Sequence, residues 1–244
     1  MVVKRDLEKH FGKVSDLLKS EGILSSNPVL DISWQLNPVV SGIAGGAGCE
    51  YIKRNRGRNV FVFPAWELRQ DEYAWIGYRE EWAIEPAAGK HERLSFKSIG
   101  LTVHYGGLGE GNKPQMFRIE WAGFANWSGG SPSFQAKGAG HPHWQFDAMD
   151  STISERRNTE ASDLLESIRE IDGEQTAQTF LPDANQLQSD RSLYLGSRLS
   201  KMHFACSTTW WNKGEAHMHQ PRTLNDIVIW LENALQYIGQ ELKR

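Results

Sequence analysis

Histidine is the residue type whose spacing most clearly suggests chemistry in this sequence. Five of the eight histidines lie between residues 141 and 219. His141 and His143 are two residues apart, and in a strand this spacing puts both imidazoles on one side, opposite Trp144 and Phe146. Such a pair is a common part of a zinc or iron site, where the metal polarises a substrate or activates a water. The residues that could supply a third ligand are His203, His217, His219 and Asp147.

A structural role for the same histidines is the alternative interpretation. Each imidazole can hydrogen-bond to a backbone or carboxylate partner, and a His-x-His pair by itself does not fix a third ligand. The sequence therefore leaves two hypotheses open. One is a metal-dependent enzyme centred on His141 and His143, and the other is a set of histidines that only support the fold.

Cys206 is a candidate nucleophile because His203 lies three residues before it. A thiol beside an imidazole becomes reactive when its pKa falls and solvent can reach it. However, Cys206 is in phase with Met202 and Phe204, which an alternating strand would bury. A buried cysteine behaves as a small hydrophobic side chain, so a structural thiol also fits the pattern.

Several residues in the second half of the chain follow a recognisable order: a cysteine, a tryptophan, a proline and a helix. They are Cys206, Trp210 or Trp211, Pro221 and the helix predicted from Leu224. Upstream, His141-Pro142-His143 is similar to a His-Pro-Asn motif with histidine at the asparagine position. This order resembles the active-site stretch of ubiquitin-conjugating (E2-like) proteins, whose fold also has an N-terminal helix followed by a meander. The resemblance implies a thiol transferase that uses Cys206.

A short basic run follows a predicted glycine-rich loop and could contact phosphate groups. The glycines of the loop are Gly42, Gly45, Gly46 and Gly48, and the basic residues are Lys53, Arg54, Arg56 and Arg58. Backbone amides in the loop would approach the same phosphates. The partner would then be RNA, DNA or an acidic protein surface. The alternative is a solvated hairpin turn whose arginines prevent edge pairing.

Helical periodicity appears at both ends of the chain, with a two-residue period between them. Apolar residues three or four apart predict a helix over residues 3–19. Thr223 and Asp226 predict a capping box at the start of a C-terminal helix. A change of phase after Phe96 predicts a β-bulge near Gly100. The predicted fold class is α+β, an antiparallel β-meander flanked by N-terminal and C-terminal helices.

Composition places limits on organisation and location. The chain has 244 residues, 39% of them hydrophobic, which is enough for one large core. Residues 1–244 are predicted to form a single domain with a polar insertion at about 151–192. A net charge of −3 and only two cysteines argue against bulk attraction to nucleic acid and against a disulfide scaffold. No apolar run approaches the ~18 residues of a membrane span. The sequence therefore predicts a cytoplasmic protein without a membrane partner.

No complete catalytic set is visible in the sequence. Tryptophan and arginine in predicted loops are residue types enriched at interfaces. Examples are Trp66, Trp127, Arg54 and Arg56. The leading hypothesis is an intracellular interaction or accessory protein, bound to partner proteins as a subunit of a larger assembly. The metal-dependent enzyme, the E2-like thiol transferase and the nucleic-acid-binding protein are the alternatives.

Overall fold

The structure of the protein is a computed structural model. It describes residues 2–23, 26–34, 39–52, 60–85, 93–111, 113–122, 143–146 and 223–243. The chain divides into two units, Met1–Gln145 with His203–Arg244, and Phe146–Met202. Everything described below belongs to the first unit, apart from Phe146. The predicted insertion at 151–192 lies outside the described residues, so the single-domain organisation stays a prediction.

Nine strands and two helices make up the described part of the chain, which is an α+β protein as predicted. The strands are β1 (Val2–Val3), β2 (Val29–Ser33), β3 (Val39–Gly45), β4 (Glu50–Ile52), β5 (Val60–Arg69), β6 (Glu72–Glu85), β7 (Arg93–Gly107), β8 (Gln115–Ala122) and β9 (His143–Phe146). The helices are α1 (Lys4–Glu21), near the N-terminus, and α2 (Leu224–Lys243), near the C-terminus. Within these residues, neither helix combines the length and apolar character needed to cross a membrane.

The strands form a half-barrel built around β6. The path through the sheet is β2-β3-β6-β7-β8-β9, in which β6, β7 and β8 are the predicted meander. The first half of β6 pairs with β5, and its second half pairs with β3. Each pair whose register is defined runs antiparallel. The length of β6 therefore allows two different neighbours to share one of its edges.

The predicted β-bulge in β7 is confirmed, and it lies at Lys97. Glu81 pairs with Ser98 and Trp82 pairs with Phe96, so Lys97 is the extra residue. One extra residue reverses the alternation, which keeps apolar side chains in the core on both sides of the bulge. The buried residues are Leu94, Phe96, Ile99, Leu101, Val103 and Tyr105.

The two helices pack against each other and against one face of the sheet, called here the helix face. Phe11 and three leucine or valine residues of α1 are buried at the helical spacing that the sequence shows. On α2, a Cβ added at Gly239 would lie 3.0 Å from the indole of Trp66. Trp66 is 5% exposed and belongs to β5. The prediction that Trp66 is a loop residue at an interface was wrong, because the indole fills the space under α2.

A second, smaller core covers the opposite face, called here the outer face. The register between β5 and β6 shifts between Pro64 and Trp66, and the first residues of β5 pair with β4 instead. Ile52, Val62 and Trp75 form the core between this hairpin and β6. A Cβ at Gly77 would lie 2.5 Å from Thr102 Oγ1, so the close approach of these layers requires glycine.

Both helix starts follow from the sequence. The predicted capping box of α2 is confirmed: the Asp226 amide donates to Thr223 Oγ1 at 3.2 Å, and the Thr223 amide donates to Asp226 Oδ2 at 2.8 Å. Helix α1 begins at Lys4 rather than at residue 3. Val3 is extended instead, because it pairs with Arg93 of β7.

The predicted glycine loop is shorter than the glycines indicate. Gly42 lies inside β3, opposite Arg79 of β6, and the strand continues to Gly45. Pairing with a neighbouring strand outweighs the low strand propensity of glycine. The turn itself is closed by the Cys49 amide, which donates to the Gly46 carbonyl at 3.1 Å. Gly46 has φ of +121° and a Cβ there would lie 1.8 Å from the Asn27 carbonyl oxygen, so this position requires glycine.

We expect the two leucines of the β7 region to respond very differently to the same substitution. Leu101 is fully buried, whereas Leu108 is 60% exposed. Leu101→Ala should lower the free energy of unfolding by about 2–5 kcal/mol, and Leu108→Ala by less than about 0.5 kcal/mol. Urea denaturation measures both, and equal losses would show that the core is not where the structure puts it.

Candidate functional site

Most of the residues that the sequence predicts to form a site lie outside the described residues. They are His141, His203, His217, His219, Cys206, Lys53, Arg54, Arg56 and Arg58, with Trp127 among the interface candidates. His143 begins β9, so the backbone there is a strand, as the alternation predicts, and it pairs with β8. Among the described residues, no three His, Cys, Asp or Glu side chains form a metal-ligand group. The zinc or iron site therefore stays a prediction.

A buried carboxylate joins α1 to β6 on the helix face. Glu80 is 0% exposed. Nε2 of His10 lies 2.8 and 3.1 Å from its two oxygens, and Trp82 Nε1 donates to it at 2.8 Å. The Tyr78 hydroxyl also donates to Glu80. Burial, reinforced by the charge of Glu80, raises the pKa of Tyr78 well above its ordinary value, so the phenol remains a donor.

This Glu80 cluster has the residue types of a general acid–base site but not the access that such a site requires. The side chain of His10 is 1% exposed, and that of Glu80 is 0% exposed. A substrate must come within hydrogen-bond reach of a catalytic base. The cluster is therefore best interpreted as the polar contact that fixes α1 on the sheet.

A buried lysine occupies the outer face. The side chain of Lys113 is 0% exposed and contacts the carboxylate of Glu50, which is 22% exposed. The Lys113 ammonium group also donates to the Glu110 carbonyl at 2.6 Å and lies 4.2 Å from the centroid of the Trp75 ring. The charge of Lys113 is thus enclosed and paired inside the protein.

The same carboxylates fix the turns beside Lys113. Glu50 Oε1 accepts a hydrogen bond from the Gly109 amide at 2.8 Å, and Glu110 Oε2 accepts one from the Gly107 amide at 2.9 Å. The turn between β5 and β6 lies at the same place, because Glu72 pairs with Gly107. We call this region, residues 46–51, 67–73 and 106–111 with Lys113, the turn end of the half-barrel.

Apolar side chains are exposed on these fixed turns. The apolar patch consists of Val29, Cys49, Tyr51 and Leu108, with exposures of 48% for Val29, 53% for Tyr51 and 60% for Leu108. Cys49, half-buried, hydrogen-bonds to the Val29 backbone, and Leu108 adjoins the Gly109 amide that Glu50 binds. Among the described residues, the fourth large exposed apolar side chain is Val3, which lies at the other end of β7. A concentration of exposed apolar surface at one end is typical of a contact site.

Cys49 is poorly suited to nucleophilic chemistry. Burial raises the pKa of its thiol to about 11, although the hydrogen bond with the Val29 backbone opposes this rise. A reactive cysteine requires a lowered pKa. Cys49 therefore contributes apolar surface to the patch and does not act as a thiolate at neutral pH.

Comparisons with protein-family models, with curated proteins and with solved structures found no match. The function is therefore argued from the residues and their geometry alone.

Sequence reasoning missed both polar clusters, although a signal for one of them was present. Glu80 alternates in phase with Tyr78 and Trp82, so an acidic residue stands on a predicted apolar face. Such a residue is buried only with partners, which would have indicated a polar cluster. Lys113 follows a glycine-rich turn, and nothing in its neighbourhood in the sequence indicates burial.

We predict that Glu80→Ala strongly destabilises the fold. The substitution leaves the buried donors of His10, Tyr78 and Trp82 without their acceptor, which should cost about 3–5 kcal/mol of unfolding free energy. Glu81→Ala is the matched control, because the side chain of Glu81 is 32% exposed and paired with Arg79. The control should lose less than about 1 kcal/mol in the same denaturation experiment. Comparable losses in both variants would contradict the role of Glu80.

We predict that Cys49 reacts with iodoacetamide only at high pH. A shift of its pKa from 9.0 to about 11 lowers the thiolate fraction near pH 8 by about 100-fold. In the Cys206→Ser protein, where Cys49 is the single thiol, the alkylation rate should rise with a midpoint near pH 11, and near pH 9 after denaturation. Because the folded pKa is raised, the stability that protonated Cys49 contributes is complete below pH 9 and is lost as pH rises towards 11. A midpoint at or below pH 9 in the folded protein would refute this prediction.

Proposed function

We propose that this chain is a non-catalytic interaction protein, and that it binds a partner protein through the apolar patch as a subunit of a larger assembly. The observation that supports the proposal is the placement of exposed apolar surface. Val29, Tyr51 and Leu108 are each about half exposed or more, and all belong to the turn end or contact it. Exposed aromatic and aliphatic side chains that lie together are typical of the centre of an interface.

The rigidity of the turns supports the same proposal. Ordering a loop during association costs free energy, so loops that are already fixed bind more tightly for the same contacts. Here Glu50 holds the Gly109 amide and Lys113, while Gly46 keeps a conformation that other residues rarely adopt. The apolar patch would therefore meet a partner without first losing much conformational entropy.

The closed character of both polar clusters makes catalysis by the described residues unfavourable. Glu80 and Lys113 are enclosed, and the pKa of Cys49 is raised rather than lowered. The alternatives that depend on other residues stay predictions: a metal-dependent enzyme at His141 and His143, an E2-like thiol transferase at Cys206, and nucleic-acid binding by residues 53–58. A cytoplasmic location also stays a prediction, which rests on the composition of the chain.

We expect the double substitution Tyr51→Ser with Leu108→Ser to release the partner. The full chain would be tagged and produced in its native cells, and the mass of the purified material would be measured under native conditions. The wild-type chain should be recovered in a complex of defined stoichiometry, because the patch is buried in the contact. Serine removes apolar surface without changing charge, so the double variant should be recovered largely as a monomer.

Val3→Ser is the matched control for this experiment. Val3 is 39% exposed and lies at the opposite end of β7, so its substitution should leave the complex intact. Thermal unfolding of each variant would establish that it is folded. Recovery of the wild-type chain as a lone monomer, or full retention of the partner by the double variant, would refute the proposal.

A further inference from the structure

The charge of the turn end specifies what kind of partner segment fits the apolar patch. We infer that the segment is basic as well as apolar, with lysine or arginine beside leucine-like side chains. This inference rests on the proposed function and adds the chemistry of the partner to it. The argument proceeds from the charges around the patch, through the burial of Lys113, to the side chains that would complement both.

Acidic side chains outnumber basic ones around the apolar patch. Within the turn end, the acidic residues are Glu50, Glu67, Asp71, Glu72 and Glu110, and the basic residues are Arg69 and Lys113. This segment therefore carries a net charge of −3, although the whole chain also carries only −3. The negative charge of the protein is thus concentrated where the apolar side chains are exposed.

The carboxylates are close to the exposed leucine. The Glu110 carboxylate binds the Gly107 amide, and the Glu50 carboxylate binds the Gly109 amide, so both flank Leu108. The Asp71 carbonyl oxygen lies 3.4 Å from the position of a Cβ at Gly107, so the exposed Asp71 is also adjacent. Leu108 is therefore surrounded by an acidic rim, defined here as Glu50, Asp71 and Glu110.

The one lysine of the turn end does not offset this rim for an approaching partner. The side chain of Lys113 is 0% exposed, and its charge is paired with Glu50. An anionic partner would therefore find no accessible cation beside Leu108 except Arg69, and it would be repelled by Asp71 and Glu110. A cationic partner would instead be attracted, and the attraction would weaken as salt increases.

Lysine and arginine match the patch in a second way. Their aliphatic stems cover apolar surface while the charged group stays at the rim, which suits an apolar centre edged by carboxylates. The exposed ring of Tyr51 offers a face on which a guanidinium group can stack. A segment with apolar and basic residues would therefore use the centre and the rim of the site together.

Two short peptides of equal apolar content provide the test, with fluorescence anisotropy as the measurement on the full chain. One peptide alternates leucine with lysine, and the other alternates leucine with glutamate. The leucine–lysine peptide should bind, and its affinity should fall when NaCl is raised from about 0.05 M to about 0.5 M. The Tyr51→Ser, Leu108→Ser variant should not bind it.

The acidic rim is tested by neutral substitutions of nearly equal shape. Asp71 has φ of +58°, which asparagine also tolerates, and glutamine at position 110 keeps an acceptor for the Gly107 amide. We expect Asp71→Asn with Glu110→Gln to weaken binding of the leucine–lysine peptide about three- to tenfold. The control is Glu8→Gln with Asp16→Asn on α1, both exposed, which changes the net charge equally and should leave the affinity unchanged.

Each remaining outcome counts against the inference. Equal or tighter binding of the leucine–glutamate peptide, or unchanged affinity in the Asp71→Asn, Glu110→Gln protein, would show that the rim does not select charge. Failure of both peptides to bind would overturn the basic and apolar character of the segment. In that case the proposed function would stand if the native complex were still lost with Tyr51→Ser and Leu108→Ser, and it would fall if that complex were retained.

Discussion

The enclosed ion pair between Lys113 and Glu50 is the constraint on which the turn end depends. An ammonium group without solvent must keep its partners, because breaking a buried pair costs about 3–5 kcal/mol. Lys113 takes its partners from β4, from the Glu110 carbonyl and from the face of Trp75. Movement of any of these elements away from the others would leave the charge unpaired. Segments that are distant in the sequence are therefore held in one arrangement, and the apolar patch has a fixed shape.

The two faces of β6 use buried charge in the same way. On the helix face, Glu80 accepts donors from α1 and from its own strand, and on the outer face Lys113 is enclosed beside Trp75. Both groups are turned inward, so they act on the arrangement of the chain rather than on a substrate. The surface left for function is the exterior of the turns. This division explains why an interaction role fits the described residues better than catalysis.

Patterns of period two and period 3.6 made much of the fold predictable. The change of phase after Phe96 indicated the bulge, and Thr223 with Asp226 indicated the start of α2. The failures have a common cause. Gly42 appeared to begin a loop, and Trp66 appeared to be an interface residue, because neither shows in the sequence which strand or helix covers it. The candidate site was missed for the same reason, since Leu108 is notable only beside the residues that surround it.

The sequence by itself determined the class of fold, the two terminal helices and the alternation of the central strands, because these follow from local spacing and from capping chemistry. Only the tertiary structure decided where Lys113 and Glu80 lie, which loops meet at the turn end, and which apolar side chains remain uncovered. The physical reason is that burial and charge pairing arise between segments far apart in the chain. Glu50 and Lys113 are 63 residues apart, and His10 and Glu80 are 70 residues apart. No local pattern records such a meeting.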